Sequence, residues 1–253
     1  MSRNEIDETF EKYGIYTGAG LTIFDKGEEI SKFVDFFKRG KPVPFEHPDG
    51  YIKDDNRVLI IEHFAIDGYD EFPNGGSELL RNESRQTKAF SKIPVTEAGV
   101  YLSEQLGTSN SYGGFIENCK RRFEQHYSQI EAYKEHLRNE KIADNSTEFT
   151  VCFLMDEVSP LGTLTHDGEK TCPVCLAKSK EFLDFYSNHP NVDWIISSVV
   201  LPEGYKPYFF AHKEIDTYNA QTRDYASYKF LSSNPVRTDF KVLISKEKPD
   251  GVS

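Results

Sequence analysis

Apolar residues recur at the spacing of an amphipathic helix in two segments of the chain. In residues 26–39, KGEEISKFVDFFKR, they face one side, and Gly40 followed by Pro42 is a typical stop signal. In residues 112–141 a longer stripe of aromatic and aliphatic residues alternates with charged residues that belong on a solvated face. The pattern predicts a helix over each segment and a further helix over residues 176–190.

Continuous apolar runs, which are typical of buried strands, occupy other parts of the chain. The first is VLIIEHFAID at 58–67. Later strands are predicted at EFTVCFLMDEVSPLG, which ends in acids and turn residues, at VDWIISSVV and at KPYFFAHKEI. Helices and strands that alternate in this order predict an α/β or α+β fold with a mixed central sheet flanked by helices. We expect one domain over residues 1–253, with a long surface excursion over 68–110 and a frayed tail over 246–253.

Composition and charge are those of an ordinary globular protein. The chain has 253 residues, of which 38% are hydrophobic and 28% are charged, and its net charge is -11. A field of this sign disfavours a protein that coats nucleic acid, but it permits a local basic groove for nucleic acid or docking on a basic protein partner. Because the sequence has neither a signal segment nor an apolar run that could span a membrane, we expect a cytoplasmic protein with no membrane partner.

The first apolar run carries Glu62 and His63 at its centre. A buried carboxylate must pair, become protonated or bind a metal ion. Asp49 lies at a turn before this run, where its carboxylate and that of Glu62 could face one Mg²⁺ or Mn²⁺ ion. The structural alternative is that Asp49 only forms the turn, while Glu62 and His63 belong to a buried hydrogen-bonded network. Further acids that follow the first two predicted strands are Asp67, Asp70, Glu71, Asp156 and Glu157.

The order of these acids resembles a known nuclease core. The PD-(D/E)XK superfamily combines a Pro-Asp, a spacer and an acid-x-Lys on a strand, after a helix that often carries a glutamate. The similarity covers residues 26–66, and Phe64 stands where the superfamily has lysine. The residues that match the pattern are Pro48, Asp49 and Glu62, with Glu28 or Glu29 as the acid of the helix.

The resemblance implies a hydrolase that cleaves phosphodiesters with Mg²⁺ or Mn²⁺. Asp49 and Glu62 would then bind the metal ion, and His63 would lie near the attacking water. His63, or Lys88 from the predicted surface excursion, would have to replace the missing lysine. The basic residues that could steer a phosphate are Lys88, Arg121 and Arg122.

A second candidate site is the segment THDGEKTCPVCLAK. His166, Cys172 and Cys175 have H-x5-C-x2-C spacing, in which two thiolates and an imidazole could converge on one structural Zn²⁺ ion. Because a predicted helix follows, the two cysteines could instead form a redox pair. The third interpretation is that they are unremarkable buried thiols.

Functions from different classes remain open on the sequence alone. The first is a metal-dependent nuclease or phosphodiesterase, which gives a chemical reason for the acids around the first strand. The alternative is a non-enzymatic acidic binding or inhibitor protein of a mobile-element or defence system, which would occupy a basic groove on a protein partner and accounts better for the net charge of -11. A third is a regulator that senses zinc or redox state through Cys172 and Cys175.

Overall fold

A mixed sheet lies between two layers of helices and organises the part of the chain that the structure describes. The computed structural model describes residues 5–12, 14, 21–23, 27–66, 99–105, 112–157, 163–166, 170–201, 204–227, 229–230 and 237–243. Within these residues the sheet has seven strands. From one edge to the other they are β1 (Thr22–Ile23), β10 (Gly204–Ala211), β9 (Trp194–Leu201), β6 (Glu148–Glu157), β4 (Arg57–Ile66), β3 (Gly50–Asp54) and β2 (Val43–Pro44). This arrangement confirms the predicted α/β class.

Three parallel strands, β4, β6 and β9, form the centre of the sheet. The pairing of β4 with β6 runs from Arg57 beside Glu148 to Ile66 beside Glu157. Parallel strands that are covered on both faces have continuous apolar sequences, and for this reason the apolar runs predict these strands. The antiparallel hairpins β3–β4 and β9–β10 extend the sheet towards its two edges.

Helices cover the two faces of the sheet unequally. In chain order the helices of the described residues are α1 (Glu5–Lys12), α2 (Glu28–Arg39), α3 (Tyr112–Tyr127), α4 (Ile130–Asn139), α5 (Lys180–Tyr186) and α6 (Ile215–Asn219). Two of them, α1 and α2, contribute Ile6, Phe10, Phe33 and other residues to the core of one face, here called the α2 face. The other four pack on the opposite face, here called the α3 face.

The predicted helix over 112–141 forms as α3 and α4, with a turn at Ser128 and Gln129 between them. The Ser128 hydroxyl donates to the carbonyl oxygen of Gln125 at 2.9 Å. Such a local hydrogen bond competes with the regular helical ladder. Helical pairing resumes where the N–H of Tyr133 donates to the carbonyl oxygen of Gln129 at 2.9 Å. The long helix is therefore confirmed as a bent one.

Two smaller sheets accompany the central one in the part of the chain that the structure describes. β5 (Gly99–Gln105) pairs with β12 (Arg237–Leu243), and β7 (Thr163–His166) pairs with β8 (Lys170–Pro173) and β11 (Lys229–Phe230). β5 falls inside the excursion predicted over 68–110, so part of that segment is a strand. The rest of the excursion and the predicted tail over 246–253 lie outside the described residues.

The predicted helix over 176–190 is shorter in the structure. A 3₁₀ turn, Leu176–Lys178, comes first, and Ser179 then caps α5 by accepting a hydrogen bond from the N–H of Phe182 at 3.1 Å. Serine suits this position because its hydroxyl satisfies an N–H group that has no partner within the helix. The strand predicted over 206–215 is also shorter at its end: β10 stops at Ala211, and a 3₁₀ turn, His212–Glu214, leads into α6.

Alternation along β4 sends neighbouring side chains to opposite faces of the sheet. Side chains of a strand alternate with a period of two. Glu62 therefore belongs to the α3 face and His63 to the α2 face. The flanking residues agree, because Ile60 and Phe64 are in the core of the α3 face, whereas Leu59 and Ile61 are in the core of the α2 face.

Candidate functional site

Asp49 and Glu62, the two acids predicted to act together, are neighbours in the structure. Gly50 pairs with Ile61 in the β3–β4 hairpin, and Asp49 continues this register opposite Glu62. The N–H of Asp49 donates to Glu62 Oε2 at 3.2 Å, and Asp49 Oδ2 accepts from the N–H of His63 at 2.9 Å. Burial, followed by the nearby charge of Glu62, raises the pKa of Asp49 above its usual value.

Glu62 is the hydrogen-bonding centre of this region. Its side chain is buried, and Oε1 accepts from the hydroxyl of Tyr133 at 2.8 Å and lies 2.7 Å from Nδ1 of His126. Burial and then the charge of Glu62 raise the pKa of Tyr133, so its hydroxyl stays protonated and keeps donating. With the Asp49 N–H, three donors surround the carboxylate. This arrangement is that of an acid that orients its neighbours.

His126 reaches Glu62 from α3, and its ring is held in place on two sides. The ring stacks on Phe64, with centroids 4.4 Å apart and an angle of 5° between the planes. Its Nδ1 is directed at Glu62. A carboxylate next to one imidazole nitrogen favours the tautomer with the proton there and leaves the other nitrogen basic. Nε2 is therefore the nitrogen of His126 that can take a proton from a ligand or bind one.

A cavity of about 630 Å³ opens beside this histidine. Four residues that line it recur at helical spacing and so lie on one side: Arg122, Gln125 and His126 of α3, and Gln129 of the turn that follows. Within the described residues Arg122 makes no hydrogen bond and no ion pair. The remaining residues of the cavity wall are His47, Glu62, Ala132, Tyr133 and His136.

His136 is anchored in the same way as His126. Its Nδ1 donates to the carbonyl oxygen of His47 at 2.8 Å, and its ring lies against Phe45 with centroids 4.9 Å apart. Two imidazoles of the cavity wall thus use Nδ1 for positioning. Together with Arg122 they give the cavity groups that suit an anionic ligand.

His63 is separated from this cavity by the sheet. Its Nε2 lies 3.3 Å from Asp156 Oδ2 on the α2 face, and Asp156 Oδ1 accepts from the hydroxyl of Ser198 at 2.8 Å. The carboxylate stands between the hydroxyl and the imidazole, so His63 does not contact Ser198 and cannot take its proton directly. The structure brings together Asp49 and Glu62 but not the side chain of His63.

The other acids and bases named from the sequence are dispersed. Glu29 is buried on the α2 face, where Lys32 Nζ and Trp194 Nε1 donate to it. Lys120 pairs with Glu181 at 2.8 Å, so the predicted basic cluster divides between a paired lysine and the cavity residue Arg122. Lys88, Asp67, Asp70 and Glu71 lie outside the described residues.

The predicted zinc or redox segment is described mainly through its backbone. His166 ends β7 opposite Lys170, and Cys172 of β8 is opposite Leu164. Cys175 is buried in the core of the α3 face, and burial raises the pKa of its thiol to about 12. Among the described residues no group of three or more His, Cys, Asp and Glu side chains is arranged to hold a metal ion. Zinc at this segment stays a prediction.

His126 and Tyr133 were not predicted as partners of Glu62 from the sequence, whereas Arg122 was predicted as a residue that could steer a phosphate. They were distributed over the long predicted helix, far from Glu62 along the chain. The available signal was a second helical stripe, in which polar groups recur every three or four residues at positions 122, 126, 129, 133 and 136.

Comparisons with known proteins complete the description of the site. None of the helices in the described ranges is long and apolar enough to cross a membrane. Searches against protein-family models, curated proteins and solved structures found no match to this chain.

Proposed function

We propose that the protein is a hydrolase of phosphate esters, of the nuclease or phosphodiesterase type, and that His126 is its general base. The observation that carries the proposal is the contact of 2.7 Å between His126 Nδ1 and the buried carboxylate of Glu62, in a cavity that also contains Arg122. A histidine fixed by a carboxylate is the common arrangement for proton transfer near neutral pH.

The proposed reaction uses the chain's own groups. Nε2 of His126 takes a proton from a water molecule as the water oxygen attacks phosphorus. The bond from phosphorus to the leaving oxygen on the opposite side breaks, that oxygen takes a proton from solvent water, and the imidazolium returns its proton to solvent. Glu62 stabilises the imidazolium between these two transfers, and Arg122 offsets the negative charge on the phosphoryl oxygens.

Phe64 is the position at which this chain departs from the PD-(D/E)XK core, and its contacts bear on the proposal. Phe64 stands in the position of the missing lysine, and its ring supports His126 at a centroid distance of 4.4 Å. We infer that the cationic group of the site comes from α3 in this chain instead of from the strand. Because the resemblance also implies Mg²⁺ or Mn²⁺, activity has to be tested both with these ions and in a chelator.

The experiment compares His126→Asn with His189→Asn. His189 is a matched control, because its Nε2 also lies 2.8 Å from a glutamate, Glu124, but it does not line the cavity. The substrates assayed are a chromogenic phosphodiester and single-stranded and duplex DNA and RNA. Hydrolysis of each substrate that the wild type cleaves should fall by about 10²- to 10⁴-fold in His126→Asn. It should stay close to the wild-type rate in His189→Asn, at a temperature at which both variants are folded. Equal rates in the two variants, or no turnover by the wild type under any condition, would refute the proposal.

The second candidate function is the binding of a basic protein partner without catalysis, which the net charge of -11 favours. In that case Glu62, His126 and Tyr133 are only a buried hydrogen-bonded network. A complex that weakens as salt is raised, from a protein that shows no turnover, would select this function over the first.

A further inference from the structure

The charged group of the cavity that lacks a protein partner is a guanidinium. Arg122 lines the cavity and, within the described residues, makes neither a hydrogen bond nor an ion pair. Lys120, on the same helix, shows the contrast, because Glu117 and Glu181 lie 3.3 and 2.8 Å from its Nζ. A guanidinium presents parallel N–H donors that match the oxygens of one phosphate. The cavity therefore offers a binding site for a single phosphate group.

Two amide side chains next to Arg122 can recognise further polar atoms. The side-chain amide of Gln125 makes no hydrogen bond within the described residues, and that of Gln129 has only a contact of 3.4 Å with Ser128. A primary amide donates through nitrogen and accepts through oxygen, which suits the mixed donors and acceptors along the edge of a nucleobase. The ring of His136, which also lines the cavity, offers a surface for stacking.

The size of the cavity, and the presence of one unpaired cation among the described residues that line it, limit which ligands can bind. Its volume of about 630 Å³ falls within the range of roughly 300 to 1,000 Å³ that is typical of sites for one small molecule. A duplex needs several cations, because it carries a phosphate charge about every 1.7 Å along its axis. A net charge of -11 does not favour such an array.

We propose that the cavity binds one nucleotide unit, with its phosphate at Arg122 and its base near Gln125 and Gln129. The ligand class is thus a nucleoside monophosphate, either free or as the end of a single strand, and not the backbone of a double helix. This inference rests on the proposed function for the location of the site. Its test, however, is equilibrium binding and does not need turnover.

The test is calorimetric titration of the four nucleoside 5′-monophosphates, of a nucleoside and of inorganic phosphate into the wild type, Arg122→Gln and Lys120→Gln. At least one monophosphate should bind more tightly than inorganic phosphate or the nucleoside. Arg122→Gln should weaken that binding by about tenfold or more, since a charge-assisted hydrogen bond is lost, and Lys120→Gln should leave it unchanged. Thermal unfolding of both variants shows that they are folded.

Several outcomes would overturn the inference. They are equal affinity for phosphate and for every nucleotide, an equal effect of both substitutions, and binding of a duplex that is tighter than that of any mononucleotide and depends on Arg122. If the protein binds a nucleotide but hydrolyses no phosphate ester, the inference holds and the proposed function is refuted. If it hydrolyses a phosphate ester but binds no nucleotide, the proposed function holds and the inference is refuted.

Discussion

Glu29 and Glu62 are two equally buried carboxylates on opposite faces of one sheet, and they differ in their partners. Each side chain belongs to a residue that is 6% exposed. Glu29 accepts from Lys32 Nζ at 2.7 Å and from Trp194 Nε1 at 3.0 Å. Glu62 accepts from the Tyr133 hydroxyl and from a backbone N–H, and it contacts an imidazole. The first has a permanent cation, whereas the second has one partner, the imidazole, that can take up and release a proton.

The pKa shifts follow from this difference in partners. Burial acts to raise the pKa of Glu29, but the hydrogen bonds from Lys32 and Trp194 bring it below its usual value. Beside Glu62, burial and the glutamate charge raise the pKa values of Asp49 and Tyr133 instead. A buried acid paired with lysine is thus stabilised as a fixed ion, and this pairing accounts for its burial without a functional role. An acid surrounded by histidine, tyrosine and a second carboxyl has the surroundings that the proposed function requires.

The largest expected effect is a difference in kcat between variants of the two glutamates. Glu62→Gln should lower kcat by about 10²- to 10⁴-fold, because the amide no longer stabilises the imidazolium of His126. Glu29→Gln, a change of the same size on the other face, should leave kcat unaltered and lower the melting temperature. Initial rates and thermal unfolding of both variants provide the measurement. A Glu29→Gln variant that is as inactive as Glu62→Gln would show that the two acids do not differ in role.

A smaller effect is expected on stability. Tyr133→Phe removes a donor from the buried Glu62 and should lower the free energy of unfolding by about 1–3 kcal/mol. Tyr51→Phe is the matched control, since within the described residues its ring packs at 5.5 Å from Phe45 and its hydroxyl makes no hydrogen bond. Urea unfolding of the two variants gives the comparison. Equal losses would mean that the Tyr133 hydroxyl contributes nothing specific to Glu62.

The central strands and the pairing of the two acids could be predicted from the sequence, because both depend on local pattern. The run predicted at 58–67 forms β4 over Arg57–Ile66, and a short hairpin brings Asp49 opposite Glu62. The bend at Ser128 depends on a hydroxyl that bonds to Gln125, which hydrophobic spacing does not register. β5 was hidden because its partner, β12, comes from a distant part of the chain.

The rest of the site could not be predicted from local pattern, with one exception. His126 and Tyr133 meet Glu62 only after α3 and α4 pack on the sheet, and their sequence separations from it are 64 and 71 residues. The exception is His63. The period of two along a strand places it on the face opposite Glu62, so its separation from the cavity was already contained in the sequence.

The smallest expected effect is a pH dependence of opposite sign at the two faces. Because the pKa of folded Asp49 is raised, the native state holds this proton more tightly than the unfolded chain, and stability falls as pH rises through the raised pKa. Asp49→Asn keeps an acceptor for the His63 N–H without the charge. It should therefore be more stable than the wild type at neutral pH, and the gain should vanish in acid. The gain in the free energy of unfolding should be smaller than the loss caused by Tyr133→Phe.

Glu29 has a lowered pKa, so its contribution to stability is present at neutral pH and is lost as pH falls through that pKa. Glu29→Gln should accordingly be less stable than the wild type at neutral pH and approach it in acid. Urea unfolding of the wild type, Asp49→Asn and Glu29→Gln from pH 3 to pH 8 measures how each variant's difference in stability from the wild type changes with pH. If the two differences changed with pH in the same direction, the contrast between a fixed ion at Glu29 and a proton-binding cluster at Glu62 would be contradicted.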